Sequence, residues 1–272
     1  MSELTLSEIW IYPIKSLGGI RLSEARVLPK GLEFDRRWML VDTDGGFLTQ
    51  RVHPKMALFK PAIDGQSLSV SFSGESTIEI TDALIESPIK ATIWNDIVDV
   101  HPHADPVVHE WFSQRLGFPC KLVAFPEENE RPVDADYSIN DEHVSLADAY
   151  PFMIIGQRSL DMLNTKLKDA VPMNRFRPNF VFTGGEAHDE DSWREFTIGS
   201  NRFAGVKLCA RCVLTTVNQD TAEKGTEPLY TMSTYRKVGN KVLFGQNLVA
   251  LDFGTVKVGD TISVISKTPA SR

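Results

Sequence analysis

Turn-forming residues break this chain, over most of its length, into runs of about four to eight residues, the length of a strand rather than a helix. Leu4 to Tyr12 is rich in β-branched and aromatic residues, and Arg36 to Asp42 is a second such run. Thr43-Asp44-Gly45-Gly46 supplies hairpin chemistry, because glycine takes a positive φ freely, so Phe47 to Arg51 is expected as the return strand. Leu68, Val70 and Phe72 alternate with Ser69 and Ser71, the pattern of a half-buried strand. Thr92 to Trp94 and Ile97 to His101 flank an Asn95-Asp96 turn. Further strands are expected at Phe152 to Ile155, Asn179 to Thr183, Arg202 to Lys207, Cys212 to Val217 and Leu248 to Asp252. Gly254 to Ile265 reads as two strands around Gly259-Asp260.

Two segments carry helical signals instead. Asp105-Pro106 pairs an N-cap with a first-turn proline, Val107, Val108, Trp111, Phe112 and Leu116 form an apolar stripe, and Gly117 ends it. Arg158 to Lys168 places Leu160, Leu163 and Leu167 on one face. Between the two, Phe125 to Asp141 holds two prolines and seven charged residues and reads as a boundary. The fold expected is therefore α+β but mainly β: a β-rich unit over residues 1–125, and a β-barrel with peripheral helices over residues 126–272.

The 272 residues are ample for real cores. A net charge of −7 argues against a general nucleic-acid or anionic-membrane binder, yet leaves room for a local basic pocket. Cys120, Cys209 and Cys212 make an odd, low count, which is no disulfide framework and fits a reducing compartment. With no secretory pattern at the start and no long apolar run, a cytoplasmic protein is expected.

The densest chemical signal is the segment from Lys207 to Val217, where Cys209 and Cys212 are spaced C-x-x-C. Half of a zinc site, a thioredoxin-type dithiol, and one thiolate on a soft metal centre are all open readings. A second Cys or His pair is not evident, and a dithiol motif should open a helix, whereas Val213 to Val217 reads as a strand. Arg211 beside Cys212 would favour a thiolate there, while Cys120 suits a small buried hydrophobe. Asn174-Arg-Phe-Arg-Pro-Asn179 sets two arginines beside a rigid proline, which could make a phosphate fork, although taken alone the segment reads first as a solvated surface turn. Lys15, Arg36 and Arg51 sit at or near strand ends, where basic residues can ring an anion.

Ile-Tyr-Pro-Ile-Lys-Ser, Asp-Arg-Arg-Trp, Asn-x-Phe-Arg-Pro-Asn, Arg-Cys-Val-Leu-Thr-Thr-Val, Glu-Pro-Leu-Tyr-Thr-Met-Ser-Thr-Tyr-Arg, Phe-Gly-Gln-Asn and Val-Gly-Asp-Thr appear in that order along the chain. In this the sequence resembles the MOSC family, in the branch where an N-terminal MOSC β-barrel domain precedes the MOSC domain, and is similar to amidoxime-reducing components and their bacterial relatives. The resemblance implies a molybdenum cofactor (molybdenum–molybdopterin) with Cys212 as the protein ligand to the metal, and leaves Cys209 without a role. It implies that Lys15 and Arg36 contact the pterin or its phosphate, that Arg177 and Asn179 contact the cofactor, that Asp148 is an acidic position there with a possible proton-handling role in catalysis, and that Tyr235 and Arg236 lie near it. The activity implied is reduction of N-hydroxylated compounds with electrons from a separate flavin reductase, cytochrome or ferredoxin-type donor. The alternative implied is sulfuration or delivery of the cofactor through a cysteine persulfide. The chain departs from the family where Asn218-Gln219-Asp220-Thr221-Ala222 follows Val217, and where Ala149 and Tyr150 follow Asp148 in place of small hydroxyl residues.

Overall fold

The computed structural model describes residues 3–65, 67–74 and 76–268. A nine-stranded sheet dominates it, in the order Ile262–Lys267, Trp193–Ile198, Asn201–Arg211, Lys241–Ala250, Phe152–Gly156, Phe180–Thr183, Thr5–Ile11 and Ile20–Leu22, with Lys237–Val238 added alongside Lys241–Ala250. Its pairs are antiparallel except Phe152–Gly156 with Phe180–Thr183, whose parallel pairing follows from the helix α2, Gln157–Asn164, that crosses between them. Inward side chains of this curved sheet form a core around Leu6, Ile9, Phe152, Phe180, Phe203 and Trp193, all almost fully buried.

A four-stranded sheet (Trp38–Val41, Lys121–Ala124, Asp96–Pro102, Ile89–Ile93) and a three-stranded meander (Phe59–Asp64, Ser67–Phe72, Thr77–Ile80) build the rest of the N-terminal half. Their cores are separate from the first. Helix α1, Pro106–Leu116, packs Val108, Trp111 and Phe112 into one of them. It begins and ends as its sequence dictates: Asp105 accepts a 2.8 Å bond from the Val107 N–H, and Gly117 closes it at φ 89°.

The halves are interwoven. Thr5–Ile11 pairs with Phe180–Thr183, and Thr255–Lys257 pairs with Glu24–Leu28, so strands from residues 1–32 lie within sheets completed by the C-terminal half. No helix among the described residues is long and apolar enough to cross a membrane.

Three expected elements differ. Phe47 to Arg51 is not a return strand: only Phe47 bridges back, to Val41, and the Val52 and His53 N–H groups turn onto the Thr49 carbonyl. The α2 helix stops at Asn164 rather than Lys168, because the Asn164 amide bonds both backbone groups of Val171. Cys212 to Val217 is not a strand but a 3₁₀ turn, Val213–Thr216, with Cys212 at its N-cap. The Thr215 and Thr216 hydroxyls donate to the Cys212 and Val213 carbonyls at 2.9 and 2.8 Å, so β-branched residues here serve the turn instead of a ladder. The third helix, α3, is Leu229–Tyr235.

Candidate cofactor site

A cleft of about 390 Å³ opens between the two halves. Its floor comes from Lys15 and Ser16, Arg36, the Asp148 loop, Met153, and the Arg177-Pro178-Asn179 segment that follows a short 3₁₀ turn, Met173–Arg175. One wall is the strand Asn201–Arg211, through Lys207, Cys209 and Ala210, with Leu214 from the turn beyond Cys212 and Asn247 from the neighbouring strand. Five residues singled out in the sequence thus meet in one place: Lys15, Arg36, Asp148, Arg177 and Asn179.

Their positions are held from beneath. The Asp35 carboxylate, fully buried, accepts from the Tyr12 N–H (2.7 Å), from Arg36 Nη1 (2.5 Å) and from Asn179 Nδ2 (3.0 Å). The guanidinium groups of Arg36 and Arg177 both lie on the Tyr12 ring, 4.3 and 4.1 Å from its centre. Ser16, Arg36 and Arg177 all take a positive φ, at 65°, 50° and 55°. Each such backbone costs about 1–3 kcal/mol, a strain that clusters where side chains are aimed at a site. Arg177 donates to the Leu17 carbonyl at 2.6 Å, but its Nη2 is buried without a partner. Burial pulls the Arg177 guanidinium down to about 10, still cationic at neutral pH.

Lys15 is 4% exposed, and burial lowers its ammonium to about 8 against the opposing pull of Asp148. It donates to the Leu146 carbonyl (2.8 Å) and to Asp148 (2.5 Å). Asp148 also accepts from Arg51 at 3.0 Å and from the Trp94 indole at 3.4 Å. Desolvation acts to raise its carboxyl, but Lys15 and Arg51 outweigh that and hold it well below the usual carboxylate range. Asp148 is therefore an ionised acceptor, unsuited to donating a proton at neutral pH. Arg51, noted in the sequence as a possible anion contact, is engaged with Asp148 and lies on the Trp94 ring at 4.1 Å.

Sequence reasoning missed the strut behind this loop. Arg131, 4% exposed, donates to the carbonyls of Ser145, Ala147 and Asp148 at 2.9, 2.6 and 3.1 Å, and to Asp96 at 2.7 Å. It lies in the segment read as a boundary, and no local pattern marks it. Asp35 was legible only as part of Asp-Arg-Arg-Trp.

The cysteine segment divides in an unexpected way. Cys209 lines the cleft; Cys212, half-buried at the N-cap of the turn, is not among the lining residues, although Ala210 and Leu214 on either side of it are. Arg211 does not serve Cys212. Its Nη1 lies 2.9 Å from both Cys209 Sγ and Met153 Sδ, and its Nη2 donates to the Phe176 carbonyl at 2.6 Å. Residues two apart on a strand share a face and adjacent ones do not, so Arg211 turns to Cys209. Both thiols are free. Residues 209–211 are extended, and three residues of strand span roughly 10 Å between Cα atoms, beyond the ~7 Å that a disulfide bridges. A strand after Cys212 no longer argues against the dithiol reading; the extended backbone between the two thiols does. Among the described residues no group of three or more Cys, His, Asp or Glu side chains is arranged to hold a metal.

Tyr235 and Arg236 are not brought to the cleft. Arg236 is bound by Asp191 (2.5 Å) and by the Leu243 carbonyl (2.9 Å). Tyr235 packs in the apolar cluster around Phe176 and Phe244.

Fold and site together define the class: this chain belongs to the MOSC family. Residues 3–119 match the MOSC N-terminal beta barrel domain and residues 141–263 the MOSC domain. It is 32% identical to mitochondrial amidoxime-reducing component 1 of Homo sapiens over 97% of this chain and 83% of that protein, and 32% identical to mitochondrial amidoxime reducing component 2 of Rattus norvegicus over 95% and 82%. A molybdenum cofactor sulfurase of Arabidopsis thaliana is 29% identical over 88% of this chain, which spans 32% of that longer protein.

Proposed function

We propose that the cleft holds a molybdenum–molybdopterin cofactor and that the protein reduces N-hydroxylated compounds, N–OH plus two electrons and two protons giving N–H and water. The observation that carries this reading is the convergence of Lys15, Arg36 and Arg177, far apart in sequence, on one cleft with a bare, buried guanidinium nitrogen. An unpaired buried donor is costly, and a phosphate-bearing anion satisfies it. When bound, the cofactor supplies the redox chemistry. Lys15, Arg36 and Arg177 bind its anionic groups, Asn179 fixes their geometry through Asp35, and Asp148 accepts hydrogen bonds and holds Lys15 in place. Cys212 does not itself line the cleft, but it stands between the lining residues Ala210 and Leu214 and would supply the soft thiolate ligand that suits a metal already bound by sulfur.

Electrons come, in this reading, from a separate flavin reductase, cytochrome or ferredoxin-type protein. The protein acts in the cytoplasm on small molecules, without nucleic-acid or membrane partners. The test is metal analysis with benzamidoxime reduction for wild type, Cys212→Ala and Cys209→Ala. Cys212→Ala is expected to lose at least tenfold in molybdenum content or turnover, as loss of a metal ligand or its support does, while Cys209→Ala keeps its metal. Retention of both metal and activity by Cys212→Ala sinks the assignment.

The open position of Cys209 favours a second reading, a carrier that sulfurates the cofactor through a persulfide. Intact mass spectrometry separates the two: an adduct of about +32 Da on Cys209 belongs to the carrier alone, because the reductase needs only a metal-bound thiolate.

A further inference from the structure

The outer part of the cleft is built differently from its floor. Lys207 projects from the strand Asn201–Arg211 onto the ring of Tyr137, with its ammonium 3.6 Å from the ring centre and 5.9 Å from that of Tyr150. The two tyrosines meet edge to face at 6.1 Å. Tyr137 comes from the loop between Pro132 and His143, which closes on itself through a bridge between those two residues.

Charge in the cleft is unbalanced. Five lining side chains are cationic: Lys15, Arg36, Arg177, Lys207 and Lys241. Two lining residues, Asp134 and Asp148, are acidic. Asp148 is taken by Lys15 and Arg51, and Asp134 accepts from the Asp136 N–H in its own turn. The phosphate-bearing cofactor of the preceding reading would use Arg36 and Arg177. Among the described residues Lys207 and Lys241 then have no carboxylate partner, and Lys207 is half-buried and fixed between aromatic faces. A cation held this way over ring faces keeps its charge while losing much of its water, so an anionic oxygen beside it gains more than it would at an open surface.

We infer that Lys207, Tyr137 and Tyr150 form a substrate subsite that selects planar aromatic N-hydroxylated compounds carrying a carboxylate over those carrying a cation. Tyr150, which lines the cleft, offers a flat phenol to an aryl ring, while Tyr137, outside the lining, holds the ammonium that suits the anionic substituent. This rests on the reductase reading for the identity of the substrate, but not for the recognition itself.

The test pairs two planar isosteric probes of opposite charge, 4-carboxybenzamidoxime and 4-amidinobenzamidoxime, with the 272-residue chain as purified. Binding is read by calorimetry, turnover by amidine formation with dithionite-reduced methyl viologen as the electron source, and cofactor content by fluorescence of the oxidised pterin. Wild type is expected to bind the carboxylate about twofold to fivefold more tightly, the range for a partly exposed ion pair. Lys207→Gln should abolish that preference while keeping its pterin, and Lys207→Arg should keep both. Tyr150→Ala should weaken both probes alike by about threefold to tenfold. The subsite is refuted by tighter binding of the cationic probe, by an unchanged ratio in Lys207→Gln, or by loss of pterin from that variant, which would assign the ammonium to the cofactor's phosphate. Calorimetric discrimination without turnover supports the subsite and sinks only the reductase reading.

Discussion

Lys15 shows how one buried cation links stability, ligand affinity and pH. Burial lowers its ammonium from the usual lysine value to about 8. The folded protein therefore gives up this proton at lower pH than the unfolded chain does. Between about pH 8 and 10.5 the unfolded state binds more protons, so Lys15's contribution to stability rises with pH there, and its cost is fully present below 8. Affinity for an anion runs the other way, because the charge that attracts it disappears across the same range. We expect pterin retention to fall as pH rises above about 8 while the urea midpoint of the cofactor-free protein gains a favourable slope from Lys15, and Lys15→Met to remove both effects. A wild-type retention profile that stays flat to pH 10 would show that Lys15 carries no part of the anion's binding. Asp148 cannot produce this signature, since its carboxyl is held ionised throughout that range.

At the scale of elements, the ends of α2 and of the turn at Cys212 are set by partners that lie far away or that act through side chains. Gly156 caps α2 without any side chain of its own. The capping acceptor is Glu190, fully buried in the 3₁₀ turn Asp189–Ser192, which accepts from the Gly156 N–H at 3.1 Å and from Ser159 Oγ at 2.9 Å. Burial pushes its carboxyl up to about 7, outweighing those hydrogen bonds. The folded state then holds this proton more firmly than the unfolded chain. The stability it favours is fully present below about pH 4.5 and is lost as pH rises towards 7, on the order of 2–3 kcal/mol. Glu190→Gln should flatten that slope in chemical denaturation across pH 4.5–7; equal slopes in variant and wild type would mean that Glu190 ionises as it does in water. The same contrast explains what was legible. Helix α1 was readable because Asp105, Pro106 and Gly117 act within one turn of its ends. Lys15, Arg36, Arg177 and Asn179 were readable because each sits in a short motif. Arg131 sits in no motif, and Asp35, Lys207 and Asn247 entered only as members of longer segments without roles of their own, because those roles arise from partners brought close only by folding. Val213 to Thr216 misled because β-branched side chains turned their hydroxyls back onto the chain.

The whole molecule makes the site a joint product of the two halves. Residues 1–125 and 126–272 read as successive units, and the two family matches fall on either side of that division. Yet Thr5–Ile11 completes the large sheet beside Phe180–Thr183, and Lys15 and Arg36 reach the cleft from the same stretch of chain. Leu6, Ile9 and Ile11 are each fully buried. At about 1.5–3 kcal/mol for burying each side chain, these three alone contribute about 5–9 kcal/mol, as much as the whole margin of stability of an ordinary domain. Residues 126–272 produced alone should therefore expose the edge of Phe180–Thr183 and the apolar face behind it, and should aggregate. Co-expressed with residues 1–125, they should recover as a one-to-one complex by size-exclusion chromatography and regain pterin binding, because both halves of the cation cluster are then present. A monomeric, cooperatively unfolding 126–272 fragment would show that the C-terminal half is self-sufficient. If that fragment also kept pterin, the cleft would owe nothing essential to Lys15 and Arg36, and the site would have to be rebuilt around Arg177, Asn179 and the cysteine segment alone.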